Sequence, residues 1–223
     1  LAKVFRHGDF RAGYYRDQAL MTALGQYSPK HMFSALYGDP ELEREPSSGS
    51  RQMMNHFGTR FLNDDGSWKN LMEQNNSTSD MACLASQFPR LVGLAQASQV
   101  YRDNPELAKS KPGFTNGGSE IAFATIGNSS CAEGHFFEAV NAIGVLQVPA
   151  IISIWDDGYG ISVANDIQMT KSDVSEVLKG FQMDDKGAGY DIVKVMAWDY
   201  PALISAYEKA EKLAREKHIP SII

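Results

Sequence analysis

Residues 120–162, "EIAFATIGNSSCAEGHFFEAVNAIGVLQVPAIISIWDDGYGIS", carry the clearest secondary-structure pattern of the chain. It begins with an apolar run over 120–127, continues with helical spacing of apolar residues over 130–147, and returns to an apolar run over 148–155. Two short apolar runs joined by a helix are typical of a parallel strand–helix–strand unit. We therefore predict two parallel strands with a crossover helix between them.

Upstream of this unit, two helical segments enclose a long irregular one. Residues 17–37 and 81–101 carry apolar residues at spacings of three and four, and Ser28-Pro29 marks a helix start inside the first of them. Residues 38–80 are rich in Gly, Ser, Asp, Asn and Pro, so we predict irregular structure there. Residues 104–119 are expected to form a turn-rich connection.

Downstream, the alternation of helices and strands continues. The predicted elements are a short helix over 174–181, a strand over 190–198, an amphipathic helix over 200–217 and the start of a strand at 220–223. This order predicts an α/β fold, a parallel sheet flanked by helices, in a single domain over 1–223. Because residues 1–10 look like a helix already under way and the last strand has only begun, we expect a fragment truncated at both ends.

The overall composition argues against several classes of protein. The 223 residues carry a net charge of −6 and have a pI near 5.4, which disfavours a primary role in binding nucleic acid or an anionic membrane. No apolar run approaches the roughly 20 residues of a membrane span. Cys83 and Cys131 lack metal-type spacing. We therefore expect a reducing compartment, the cytoplasm or, in a eukaryote, an organelle matrix.

Polar residues follow the two strands of the central unit at the point where each strand ends. Asn128 follows the first strand, and Asp156 and Asp157 follow the second. Carboxyl ends of parallel strands meet at one edge of the sheet, where ligands of such folds bind. Oxygen donors at this edge suit Mg²⁺ shared with a substrate phosphate. Two ordinary turns with Asx caps explain the same residues about equally well.

With these two motifs in view, the chain resembles a known family. "GNSS" followed about thirty residues later by "WDDGYGIS" is similar to the thiamine diphosphate motif. The whole stretch resembles the alpha subunit, or alpha-like half, of the decarboxylating first component of 2-oxo acid dehydrogenase complexes of the branched-chain or pyruvate type. Three further segments match that family in order: "YYRDQALM" (14–21), "SRQMMNHFG" (50–58) and "CLASQFPRLVGLAQA" (83–97). The resemblance implies a thiamine diphosphate-binding fold.

The resemblance assigns the Mg²⁺ and diphosphate ligands to particular residues. Tyr15 and Arg16 would contact the diphosphate, where the guanidinium of Arg16 is suited to phosphate oxygens. Asn128 and Asp157 would be side-chain ligands of Mg²⁺, and the backbone carbonyl of Tyr159 would be a third ligand.

The other residues that the resemblance assigns surround the cofactor. The backbone N–H groups of Ser129 and Ser130 would face the diphosphate, Leu84 would lie beneath the bent cofactor, Ser86 and Gln87 would form part of a monovalent-cation (K⁺) site, and His56 would border the active-site funnel.

At four positions the sequence departs from the family pattern. Asn128 stands where relatives have an acidic ligand, and Asp157 stands where they have an Asn. We interpret this as an exchange that keeps one carboxylate and one amide, and loss of the metal site is the alternative. Ser129 replaces a Gly, and Trp155 replaces an Arg that holds the diphosphate in branched-chain relatives. We expect Asp156 to cap or bond locally.

The resemblance also implies an activity and partners. The expected reaction is oxidative decarboxylation of a 2-oxo acid with acyl transfer to lipoyl. The main catalytic His and Glu would lie outside this chain, the Glu on a beta-type subunit or beta-type half. A lipoyl-bearing acyltransferase and an α2β2-like assembly are further expected partners. The alternatives are another thiamine diphosphate enzyme, acting on acetoin or like transketolase, and a non-catalytic scaffold subunit that has lost the cofactor.

Overall fold

The computed structural model describes residues 1–223 and has a parallel sheet at its centre. Six strands lie in the order β2-β1-β3-β4-β8-β7, and all neighbours pair in parallel. A separate antiparallel hairpin, β5–β6, follows β4. The strand bounds are β1 Phe10–Arg11, β2 Asn76–Ser77, β3 Ala122–Gly127, β4 Ala150–Trp155, β5 Tyr159–Gly160, β6 Val163–Ala164, β7 Asp191–Ile192 and β8 Ser221–Ile222.

Helices cover the sheet and connect its strands. Their bounds are α1 Ala19–Ala23, α2 Pro29–Leu36, α3 Gln87–Asp103, α4 Pro105–Ser110, α5 Gly134–Leu146, α6 Asn165–Gln168, α7 Val174–Val177 and α8 Tyr200–Lys217. Short 3₁₀ turns occupy Leu71–Glu73, Ser129–Ala132 and Leu178–Phe181. None of the helices combines the length and the apolar character that crossing a bilayer requires.

The central strands β3 and β4 are buried on both faces. Successive side chains of each strand point to opposite faces of the sheet. Phe123 and Ile151 point to the face that also contains Met21 and Tyr207. On the other face, alanines of both strands and Ile152 pack with residues of α3 and α5. The six residue pairs between β3 and β4 determine the relative position of the two turns that follow these strands.

The α/β fold with a parallel sheet flanked by helices is confirmed, as are most of the predicted elements. Ser28 caps α2, where its hydroxyl accepts from the N–H of His31, and Pro29 is the first helical residue. The short helix, the amphipathic helix α8 and the last strand also form as predicted. The predicted helix over 81–101 begins later, at Gln87.

Three predictions were wrong. Residues 1–9 form turns rather than a helix, and Phe10–Arg11 is a strand. The strand predicted over 190–198 contains only Asp191–Ile192, because only these two residues pair with β8. Part of the predicted connection over 104–119 is helix α4, whose Pro105 occupies the first helical position, where proline is favoured.

Candidate functional site

The turns after β3 and β4 meet at one edge of the sheet. Gly127 pairs with Trp155, and the next residue, Asn128, donates its backbone N–H to the Trp155 carbonyl at 3.3 Å. The Asn128 side chain is 2% exposed, and its Nδ2 donates to the carbonyl of Tyr159 at 3.0 Å. Two turns more than 30 residues apart in sequence are thus joined by hydrogen bonds.

Asp157 bonds to the same residue from within its own turn. Its Oδ1 accepts from the N–H of Tyr159 at 3.0 Å, so Tyr159 is bonded to both predicted side-chain ligands. Asp156 accepts from the N–H of Gly158 at 2.9 Å, which is the local cap expected of it. Both carboxylates are exposed to solvent.

The donors gathered here suit a hard cation. The chain holds no group of three or more His, Cys, Asp or Glu side chains placed for a metal. A site at this edge therefore has to include amide and backbone oxygens, and the set of Asn128, Asp157 and the Tyr159 carbonyl contains only oxygen donors. Such a set fits Mg²⁺, which prefers oxygen and keeps open positions for phosphate and water.

The 3₁₀ turn that begins at Ser129 offers backbone donors beside this set. Its first N–H groups, those of Ser129 and Ser130, have no acceptor within the turn, because the opening N–H groups of any helix lack one. Gln168 of α6 holds the turn through two hydrogen bonds with Ser129. Its Nε2 donates to the Ser129 carbonyl at 3.0 Å, and its Oε1 accepts from the Ser129 hydroxyl. No pattern in the sequence singles out Gln168.

Tyr15, Arg16 and His56 form a cluster of their own. The Tyr15 and His56 rings stack with centroids 5.6 Å apart and planes 9° apart. The Arg16 guanidinium lies over the Tyr15 ring at 5.3 Å, forms no salt bridge and is exposed. A hydrogen bond to the Tyr14 hydroxyl raises the pKa of Arg16. Arg16 is therefore a cation without a protein counter-ion.

A buried network fixes this cluster to the sheet. Asp17 accepts from the Thr125 hydroxyl of β3, three residues before Asn128. Burial raises the pKa of the Asp17 carboxyl, and the Thr125 bond opposes that effect. Arg11, 2% exposed, donates to the carbonyls of Tyr14 and Asp17 at 3.1 and 3.0 Å.

Asp80 balances the charge of Arg11 at 2.7 Å, and both side chains are buried. A Cβ on Gly13 would lie 2.0 Å from Asp80 Oδ1 and 2.5 Å from Arg11 Nη1, so the pair requires glycine at that position. Arg11, Asp17 and Asp80 were not predicted as part of the site. The closest available signal was Gly13, directly before two tyrosines.

The segment before α3 contains the last predicted residues. Leu84 is an exposed apolar side chain, and its carbonyl contacts His135 Nε2 at 3.1 Å. The Ser86 hydroxyl donates to the Cys83 carbonyl at 2.7 Å. Gln87 is 1% exposed, and its Oε1 is buried without a hydrogen-bond partner. An unpaired buried carbonyl oxygen is compatible with a monovalent cation.

Comparison with known proteins gives a consistent result. The family described as "Dehydrogenase E1 component" matches residues 1–223. The chain is 26% identical over 218 residues to the 2-oxoisovalerate dehydrogenase subunit alpha of Bacillus subtilis (strain 168), covering 98% of this chain and 54% of that protein. It is 24% identical over 208 residues to the mitochondrial 2-oxoisovalerate dehydrogenase subunit alpha of Caenorhabditis elegans, covering 92% of this chain and 39% of that protein.

These alignments cover at most about half the length of the curated relatives that the chain matches. The family match, in contrast, extends from the first residue of the chain to the last, and the parallel α/β sheet described above agrees with it. The chain belongs to the dehydrogenase E1 component family.

Proposed function

We propose that this chain is the alpha-type part of a thiamine diphosphate-dependent 2-oxo acid dehydrogenase and binds the Mg²⁺-diphosphate end of the cofactor. The observation that carries the proposal is the meeting of Asn128, Asp157 and the Tyr159 carbonyl at the edge of β3 and β4. Family membership and the similarity to two 2-oxoisovalerate dehydrogenase alpha subunits support it.

In this proposal the residues of the chain bind and orient the cofactor. Asn128, Asp157 and the Tyr159 carbonyl hold Mg²⁺, and the N–H groups of Ser129 and Ser130 donate to diphosphate oxygens. The cation without a counter-ion, Arg16, offsets the negative charge that remains, with Tyr15 beside it. Trp155 contributes no charge here, so Arg16 has a larger share of this task.

Further residues shape the space around the cofactor. Leu84 supplies an exposed apolar surface for the cofactor to rest on, and His56 borders the route for substrate through its stacking on Tyr15. Ser86 and Gln87 hold a monovalent cation such as K⁺ that stiffens the start of α3. The bound cofactor supplies the electron sink for loss of CO₂ from the substrate.

The reaction is oxidative decarboxylation of a 2-oxo acid, with a branched-chain 2-oxo acid preferred over pyruvate because both curated relatives are named for 2-oxoisovalerate. A beta-type subunit or beta-type half supplies the activating Glu. The acyl group passes to lipoyl on an acyltransferase, and the assembly is α2β2-like. The competing functions are acetoin or transketolase-like chemistry and a non-catalytic scaffold. A measurement of metal-dependent cofactor binding would exclude the scaffold.

The Mg²⁺ assignment can be tested by removing one carboxylate. We expect Asp157→Ala to abolish Mg²⁺-dependent binding of thiamine diphosphate to the full chain assembled with its beta-type partner, because it removes the only charged ligand of the set. Isothermal titration calorimetry measures this binding. Asp166→Ala, which removes an exposed carboxylate of α6, is the matched control. Unchanged binding in Asp157→Ala would exclude this residue as a ligand.

A further inference from the structure

A buried amide, Asn165, lies between the two turns of the candidate site. It is 4% exposed, begins α6, and donates its backbone N–H to the Gly158 carbonyl at 3.0 Å. Its Nδ2 donates to Asp156 Oδ1 at 3.2 Å and to the Ser172 carbonyl at 2.9 Å. Because an ionised carboxylate and a backbone carbonyl only accept hydrogen bonds, the amide can adopt one orientation only.

The orientation of Asn165 in turn determines that of Asn128. With its NH₂ group committed to Asp156 and Ser172, Asn165 presents Oδ1 to Asn128, which donates Nδ2 to it at 2.6 Å. The second N–H of the Asn128 NH₂ group donates to the Tyr159 carbonyl. Both amide protons of Asn128 are therefore used inside the protein.

This leaves the Oδ1 of Asn128 as the free end of the side chain. No protein group donates to it, and it is not one of the fully buried polar atoms that lack a partner, so it keeps some exposure to solvent. The Tyr159 carbonyl accepts one bond from Asn128 and keeps a second lone pair. If Asn165 were reversed, Asn128 would turn its NH₂ group outward and present a donor where a cation needs an acceptor.

We propose that Asp156 and Asn165 form a relay that turns the carbonyl oxygen of Asn128 toward the Mg²⁺ of the bound cofactor. Asn165 is thus a positioning residue for metal binding, and Asp156 is the anchor that fixes its orientation. The proposal rests on the proposed function, because it needs the metal there. It also gives the two adjacent carboxylates separate tasks: Asp157 binds the cation, and Asp156 orients the amide ligand.

The test measures metal affinity rather than turnover. Mg²⁺ is titrated into the assembled protein at saturating thiamine diphosphate, with binding followed by calorimetry, and Mn²⁺ affinity is measured independently from the loss of the free-ion electron paramagnetic resonance signal. We expect Asn165→Ala to lower the affinity for both metals by about 10- to 100-fold, the usual effect of removing a group that orients a ligand. Thermal unfolding of each variant shows that it is folded.

A pair of substitutions at the exposed Asp156 separates orientation from charge and stability. Asp156→Asn keeps an oxygen that can accept from Asn165, so its metal affinity should stay close to that of Asp166→Asn, which removes one charge from an exposed position of α6. Asp156→Ala removes the acceptor and should weaken metal binding by about tenfold. This pair decides the question even where Asn165→Ala does not fold.

The possible results distinguish the two proposals. If the unsubstituted protein binds thiamine diphosphate with Mg²⁺ but Asp156→Ala matches Asp156→Asn, the relay is wrong and the proposed function stands. Metal affinity in Asn165→Ala equal to that of the unsubstituted protein leads to the same conclusion. If the unsubstituted protein binds no metal and cofactor, the proposed function and the relay are both overturned.

Discussion

Gly160 determines how closely the turn after β4 can approach the turn after β3. A Cβ built on Gly160 would lie 1.7 Å from the hydroxyl oxygen of Ser129 and 2.7 Å from its Cβ, distances that non-bonded atoms do not adopt. The side chain of Ser129 is therefore accommodated by a glycine on the facing turn. The position of the Ser129 and Ser130 N–H groups depends on this contact.

Because Gly160 approaches Ser129 so closely, we expect a destabilising substitution of Gly160 to be rescued by a substitution of Ser129. Gly160→Ala should lower the free energy of unfolding by about 1–3 kcal/mol, the usual cost of overpacking. Adding Ser129→Gly should restore most of that loss, because it removes the two nearest atoms and leaves only the flexible end of Gln168, whose Oε1 lies 2.9 Å from the built Cβ. Urea unfolding of the two variants and of Ser129→Gly alone measures the coupling. Additive effects of the two substitutions would show that the contact does not form.

Some residues of the candidate site could be singled out from the sequence and others could not. Asn128 directly follows β3 and Asp157 lies two residues after the end of β4, both at strand ends where parallel sheets bind ligands. Asn165 was not predictable, because its contact with Asp156, nine residues earlier, forms only when the β5–β6 hairpin brings the two residues together. A lone Asn at the start of a four-residue helix carries no such signal.

Among the elements outside the central β3–α5–β4 unit, β1 contributes most to the position of the candidate site. It is only two residues long, yet it lies between β2 and β3, and its Arg11 holds the loop that carries Tyr15 and Arg16. β1 and β2 escaped prediction because neither forms an apolar run. Asn76 of β2 is buried through amide hydrogen bonds to the carbonyls of Leu71 and Asp9 instead.

The Arg11–Asp80 pair gives the prediction at this scale. Asp80→Ala leaves the Arg11 guanidinium buried without its counter-ion, so we expect the free energy of unfolding to fall by about 3–5 kcal/mol. Denaturant unfolding measures it. Glu106→Ala, which breaks an exposed pair with Lys109, is the matched control and should cost less than about 1 kcal/mol. Equal costs for both variants would contradict the structural role assigned to Arg11.

At the scale of the whole molecule, the site is assembled from segments distant in sequence. The segments around Arg16, Gln87, Asn128 and Asp157 reach one region because β1, β3 and β4 are adjacent and parallel. The order of the central strands could be predicted from their apolar runs and from the crossover helix. The contribution of residues 1–18 could not, because it depends on pairing between β1 and β3 and on a buried arginine.

If this chain holds the Mg²⁺-diphosphate end of thiamine diphosphate, binding of the cofactor depends on the metal. Calorimetric titration of thiamine diphosphate into the full chain assembled with its beta-type partner, with Mg²⁺ and again with EDTA, tests this dependence. We predict saturable binding with Mg²⁺ and its loss with EDTA, because Asn128, Asp157 and the Tyr159 carbonyl bind the cofactor through the metal. Absence of binding with Mg²⁺, or equal binding with EDTA, would contradict the claim.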